Sequence, residues 1–188
     1  ITGWGRTGES FAAQSFGVTP DIITMAKGIT NGVMPLGAVA SRESIYDTLL
    51  DASPTGAIEF FHGYTYSAIP ACIAAGLAMQ EIIKKENLIQ RSKNMSPYFL
   101  DGLFSLKDID IITDIRGYGM LGGIDIKFDE RLGKAGYSCF KKLFEAGLSL
   151  KATGDCLIVA PPFICEEHHI DEIIDKLRAG ITNYRKSV

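Results

Sequence analysis

The chain has 188 residues, of which 46% are hydrophobic and 22% are charged, a balance typical of a globular protein with a sizeable core. The formal net charge is -3 with no block of like charges, so we predict no nucleic-acid partner and no membrane-surface partner. No run of about 18 apolar residues occurs, which excludes a transmembrane helix. This length holds one domain, or part of one domain joined to a smaller second one.

The cysteines form no CxxC pair, and no histidine lies at metal-ligand spacing from them; they are Cys72, Cys139, Cys156 and Cys165. We therefore predict reduced thiols, a cytoplasmic protein and no metal site. The adjacent His168 and His169 are typical of the polar first turn of a helix.

Two glycine-rich stretches, residues 3–8 and 117–122, fit the pattern GxGxxG. A dinucleotide site needs this pattern between a strand and a helix. The second stretch leads into an alternating segment typical of a strand, and almost no chain precedes the first. We interpret both stretches as glycine-rich turns, and a nucleotide-binding domain is the least favoured of three hypotheses for the chain.

A short apolar segment, residues 21–25, leads to Lys27, which lies among small and apolar residues in a turn rich in glycine. A lysine in such surroundings is poorly solvated, which favours the neutral, nucleophilic amine that a Schiff base with a carbonyl cofactor requires. The alternative is a surface lysine in a polar turn. These residues alone leave both interpretations open.

Residues 36–40 are small and apolar, which predicts a strand buried on both faces. Ser41 is a candidate N-cap for a helix that runs to about Leu50. Pro70 suits the first position of the next helix, and the apolar composition of residues 71–78 predicts burial on all sides.

The pattern changes near residue 95. Amphipathic helices are predicted for residues 97–106, 137–147 and 170–181. A strand pair is predicted for residues 109–128, and two short strands are predicted for residues 148–150 and 156–160. The turn between the last two strands carries Gly154 and Asp155. The sum is an α/β part, residues 1–94, followed by a compact α+β domain, residues 95–188.

Four segments, in this order, resemble the class III (ω-amino acid) pyridoxal-phosphate aminotransferases: residues 1–8, 20–28, 62–67 and 154–162. The resemblance implies an α/β fold: the C-terminal part of a fold-type I PLP-transferase large domain, with its interdomain helix, and then the small α+β domain. It implies pyridoxal 5'-phosphate (PLP) as cofactor. The implied reaction is transamination between an amine or ω-amino acid and a keto acid such as pyruvate.

The resemblance also implies residue roles. Lys27 matches the lysine that holds the cofactor and moves the substrate proton. Thr65 matches the hydroxyl that binds the cofactor phosphate of the neighbouring subunit, which implies a homodimer; a helix-capping hydroxyl is the alternative for this residue. Trp4 matches an aromatic residue near the substrate. Two roles are equally consistent with the sequence for Phe61, His62 and Tyr64: they line the pocket of the partner subunit, or they pack within their own chain.

Two departures from the family pattern limit these implications. The family's aspartate that pairs with the pyridine nitrogen is expected three residues before Ile1, so we expect this chain to be inactive alone. Many relatives have an arginine that binds the substrate carboxylate where this chain has Lys151. This change has three interpretations: the substrate carboxylate is bound more weakly, the substrate is a different amine, or the lysine faces solvent. A non-catalytic fragment that acts only as an association surface is the second hypothesis for the chain.

Overall fold

The computed structural model describes residues 1–55, 62–127 and 133–186. Its helices are α1 Ala12–Ser15, α2 Glu43–Asp51, α3 Pro70–Lys85, α4 Leu88–Phe104, α5 Lys134–Glu145 and α6 Glu167–Arg185, with 3-10 turns at Lys27–Ile29 and Ser105–Asp108. Its strands are β1 Ile22–Met25, β2 Ala38–Ser41, β3 Ile112–Tyr118, β4 Leu121–Ile126, β5 Lys151–Thr153 and β6 Cys156–Val159. Within these stretches, no helix combines the length and hydropathy needed to cross a membrane.

Strands β1 and β2 form an antiparallel two-stranded sheet. The prediction of a strand buried on both faces is wrong, because β1 is the one partner of β2 within the described residues and Val39 is 70% exposed. The predicted cap is also wrong: Ser41 ends β2, and α2 begins after Arg42 as its N-cap. Apolar composition therefore identified the strand but not what covers it.

Helix α3 has Pro70 at its start, as predicted. The predicted burial around residues 71–78 is wrong, because only Cys72 and Gly76 of that stretch are buried and Leu77 is 62% exposed. Gly76 faces Leu36, whose Cδ2 would lie 3.3 Å from a Cβ at residue 76. The helix thus covers the segment after Lys27 with one side and leaves its other side uncovered in the described chain.

Helix α4 is longer than predicted, since it starts at Leu88 and continues through Pro97. Proline removes one backbone donor from a helix. The fully buried Phe99 and Leu103 lie on the turns that follow and hold the helix against the core. Helix α4 spans the predicted boundary between residues 94 and 95, and the division into two domains stays a prediction.

The second sheet is antiparallel with the order β3-β4-β6-β5. The second GxGxxG stretch forms the β3–β4 hairpin, as the turn interpretation predicted. The predicted strand at 148–150 lies three residues later, as β5. The core joins this sheet to α4, α5 and α6; its fully buried large side chains include Phe99, Leu103, Met120, Ile124, Leu143, Leu157, Ile170, Leu177 and Ile181.

Pairing register separates the two faces of this sheet. Ile115, Ile124, Leu157 and Ala152 are aligned across the four strands and belong to the core or pack against it. Because side chains alternate along a strand, the next aligned row points to the opposite face. That row is Arg116, Gly123, Ile158 and Lys151. Lys151 therefore lies on the face opposite the helices.

Asp155 has a structural role. Its carboxylate accepts hydrogen bonds from the backbone N–H of Gly133 at 2.7 Å and of Gly136 at 3.0 Å, at the start of α5. These backbone groups have no partner within a helix, so the carboxylate stabilises the N-terminus of α5. Gly154, with a φ of +60°, forms the turn that brings Asp155 there.

Candidate active site

Lys27 begins the 3-10 turn and is separated from the end of β1 by Ala26. Its φ is +54°, in the left-handed region, and its side chain is exposed. The exposure differs from the poor solvation expected from the sequence, because the described contacts on this turn reach Gly28 and Ile29 and leave the lysine side chain uncovered. The C-terminal end of the turn is held in place by Thr30. This residue is buried, and its Oγ1 donates a 2.6 Å hydrogen bond to the carbonyl oxygen of Met34. A non-glycine residue in this conformation costs on the order of 1–3 kcal/mol and is concentrated at functional sites.

Trp4 packs directly on the lysine turn. A Cβ at residue 28 would lie 2.7 Å from the Trp4 Cβ, so only glycine fits beside this side chain. Phe11 supports the indole edge-on, with ring centroids 5.2 Å apart. The sequence therefore places a glycine after Lys27 because the two segments touch there.

A cavity of about 290 Å³ lies between the Trp4 loop and the lysine turn. Trp4, Phe11, Met25 and Lys27 are among its lining residues. None of the lining residues from the described chain is aspartate or glutamate. Among the side chains of these described lining residues, that of Lys27 is the charged one.

A second cavity, of about 360 Å³, brings Lys27 and Lys151 together. Leu148, Leu150, Ile158, Pro161, Pro162 and Ile173 contribute to its mostly apolar lining. Ile1 lines both cavities. The two lysines thus face a shared apolar space, although they lie in different parts of the chain. Lys151 is exposed and borders this space as well as solvent.

Thr65 lies apart from both cavities, in an exposed turn closed by a 2.9 Å hydrogen bond from Ser67 N–H to the Tyr64 carbonyl. The helix-capping alternative is wrong, because Ile69 is the N-cap of α3. His62 and Tyr64 stack with ring centroids 4.4 Å apart. Phe61 lies outside the described residues. This chain therefore does not bring Thr65 to Lys27.

The sequence did not identify Arg6 as part of this region. Its Nη1 donates to the carbonyl oxygens of Met120 at 2.8 Å and Pro161 at 2.6 Å, and its guanidinium stacks 4.4 Å from the centroid of the Phe163 ring. Burial lowers the pKa of the Arg6 guanidinium from its ordinary value. The available signal was an arginine inside a glycine-rich turn.

The four cysteines are free thiols. Burial raises the pKa of Cys139 to about 12. Burial, and then the Asp125 carboxylate, raise the pKa of Cys156 to about 11. Since the thiolate is the nucleophile and the metal ligand, these two side chains are unreactive at neutral pH.

Comparison with known proteins gives consistent similarities. Residues 1–181 match the family model described as aminotransferase class-III. An omega-aminotransferase from Caulobacter vibrioides is 42% identical over 179 residues, which cover 95% of this chain and 40% of that protein. A beta-alanine–pyruvate aminotransferase from Pseudomonas aeruginosa is 41% identical over 179 residues, which cover 93% of this chain and 40% of that protein.

The structural similarity extends over the same length. A transaminase from the marine bacterium Virgibacillus superimposes with a TM-score of 0.90 at 30% identity, covering 100% of this chain and 44% of that one. The chain spans about 40% of the length of the curated relatives it matches.

Proposed function

Because this chain belongs to the class III aminotransferases, we propose that it serves PLP-dependent transamination between an amine or ω-amino acid and a keto acid such as pyruvate. The family match confirms the resemblance, and the superposition of this chain on part of a transaminase structure confirms the α/β fold class. The observation that carries the proposal is Lys27, held in the left-handed conformation at the edge of two cavities with its amine exposed. The substrates named for the relatives support the choice of donor and acceptor.

The residues of this chain fit one end of the cofactor. PLP, when bound, supplies the electron sink of the reaction. Lys27 would hold the cofactor through Nζ, and the freed amine would then move the proton at the substrate Cα, since an amine exists in both protonation states. Trp4 would form the wall beside it. Thr65 would bind the phosphate in the neighbouring subunit, which makes the active form a homodimer.

The lining of the cavity beside Trp4 includes no aspartate or glutamate from the described chain, so these residues would offer no carboxylate partner to the pyridine nitrogen of PLP. We propose that the acid which pairs with this nitrogen comes from elsewhere in the intact enzyme. The 188 residues alone are then inactive. They retain the lysine and the substrate-side wall.

Chemical capture of PLP tests the proposal. Incubation of the 188-residue chain with PLP, reduction with borohydride and peptide mass mapping should place the modification mainly on Lys27. Lys93 is the internal control, because its ammonium is paired with Glu9 at 2.8 Å on the surface. Equal labelling of the two lysines would overturn the assignment of Lys27. Measurable amine turnover by the chain alone would instead overturn its proposed inactivity.

Lys151 is proposed as the group that binds the keto-acid carboxylate. Its ammonium is a point charge, whereas arginine offers two parallel donors to a carboxylate. In the intact enzyme, Lys151→Arg should lower the KM for the keto acid by about 3- to 10-fold with little change in kcat, since a stronger charged hydrogen bond is worth roughly 1 kcal/mol more. Lys107→Arg is the matched control on an exposed turn. An unchanged KM for the keto acid would assign Lys151 to solvent.

A role as an association surface is the second candidate. The exposed apolar side chains of Val33, Val39 and Leu77 favour it, since such surface promotes self-association. Sedimentation of the chain with and without PLP separates the two candidates. If the chain self-associates and PLP with borohydride does not label Lys27, the association-surface role is favoured.

A further inference from the structure

Arg6 connects the N-terminal loop to the distant end of the chain. One atom of its guanidinium, Nη1, donates to the backbone carbonyl oxygens of both Met120 and Pro161. Within the described residues, no carboxylate forms an ion pair with Arg6. The guanidinium covers the Phe163 ring. A half-buried arginine whose guanidinium bonds to carbonyl oxygens and covers an aromatic ring holds the two segments in a fixed geometry, as a tie between them, because its planar donor group fixes directions as well as distances.

Backbone contacts reinforce this tie. Met120 N–H donates to the Arg6 carbonyl oxygen at 2.9 Å, so the two residues exchange hydrogen bonds in both directions. Ser92 of α4 donates from Oγ to the Gly5 carbonyl at 2.8 Å. The loop is therefore held by the β3–β4 turn, by α4 and by the segment after β6.

Both ends of the tie reach the candidate active site. Trp4 lies two residues before Arg6 and packs on Gly28, next to Lys27. Pro161, which accepts from Arg6, lines the cavity shared by Lys27 and Lys151. The wall that carries Trp4 and the wall that carries Pro161 are thus joined through one side chain.

We propose that Arg6 is a positioning residue: it fixes the Trp4 wall against the Pro161 wall and so sets the relative placement of Lys27 and Lys151. The consequence for substrate binding rests on the proposed function, whereas the placement of Trp4 does not. Arg6 lines neither cavity, and its Nη1 is engaged by two carbonyls, so it acts through its neighbours and does not touch the substrate.

Trp4 is the only tryptophan of the chain, so its fluorescence reports this wall directly. Arg6→Met removes the donors but retains an unbranched apolar side chain. In the folded chain without PLP, it should shift Trp4 emission to longer wavelength and increase the acrylamide quenching constant about twofold, because the loop loses its local protection. Arg6→Lys keeps a donor for the carbonyls and should restore part of the native signal.

Arg178→Met is the matched control. Arg178 also bonds through its guanidinium, to Asp108 at 2.8 Å and to the Ser105 carbonyl at 2.7 Å, but on α6 away from Trp4. Native emission and quenching in Arg6→Met, or equal changes in Arg178→Met, would overturn the proposal. If circular dichroism shows that Arg6→Met is unfolded, Phe163→Leu decides: a red-shifted Trp4 supports the tie, and a native spectrum overturns it. None of these readouts involves PLP, so failure here is distinct from failure of the Lys27 assignment.

Discussion

Replacing Lys27 with arginine should abolish covalent capture of PLP and slow transamination by the intact enzyme by at least about 10³-fold, since general acid–base catalysis alone contributes about 10²–10⁴. Arginine keeps the positive charge and nearly the same reach. Its guanidinium does not deprotonate in proteins, so it supplies neither a nucleophilic amine nor a base. The rate of keto-acid formation from a saturating amine donor, measured with excess PLP, checks this expectation.

Lys93→Arg provides the comparison for that experiment, because it makes the same chemical change at a surface ion pair. It should retain full activity. Lys27→Ala should be as inactive as Lys27→Arg and should recover part of its rate when a small primary amine is added. Residual activity within tenfold of the wild type in Lys27→Arg would show that another group performs the proton transfer.

Replacing Gly119 with alanine should lower the free energy of unfolding by about 3–5 kcal/mol, among the largest losses from a single substitution. Gly119 has a φ of +63°, and a Cβ there would lie 2.7 Å from the Thr7 Cα and closer still to the Arg6 carbonyl oxygen. Both obstacles are backbone, so neither moves aside as a side chain would. Urea denaturation followed by circular dichroism measures the loss.

Gly17→Ala isolates the conformational part of this loss. Gly17 has a φ of +64°, almost the same as Gly119, but nothing lies within 4 Å of a Cβ at that position. Alanine there should cost only about 1 kcal/mol, the usual penalty for a side chain in the left-handed region. A similar loss from both substitutions would mean that the contact between the Arg6 loop and the hairpin contributes little.

Local patterns predicted those features that local physics decides. The position of Pro70, the hairpin in the second GxGxxG stretch and the helical stripe of α6 follow from φ limits, turn geometry and periodicity. A glycine-rich turn at Lys27 after a short apolar segment was predicted in the same way, and the structure shows that this segment is β1. The order of four motifs then identified the family, which the match over residues 1–181 confirms.

Features that depend on distant partners were not predictable from such patterns. Val39 and Leu77 are apolar, but whether an apolar residue is covered depends on the elements beside it. Arg6 bonds to residues 114 and 155 positions away, so no local window contains its role. Pro97 suggested a helix start, and the helix continues through it because buried side chains beyond it hold the backbone in place.

The left-handed backbone at Lys27 sets a conflict between folding and chemistry. Glycine would occupy this φ of +54° without penalty, whereas lysine in this conformation costs on the order of 1–3 kcal/mol of stability. Selection for thermal tolerance alone would therefore favour loss of the amine at this position. Stabilised variants recovered from random libraries should first be checked for substitutions of Lys27, because a substitution that increases stability at this position would remove the amine needed for activity.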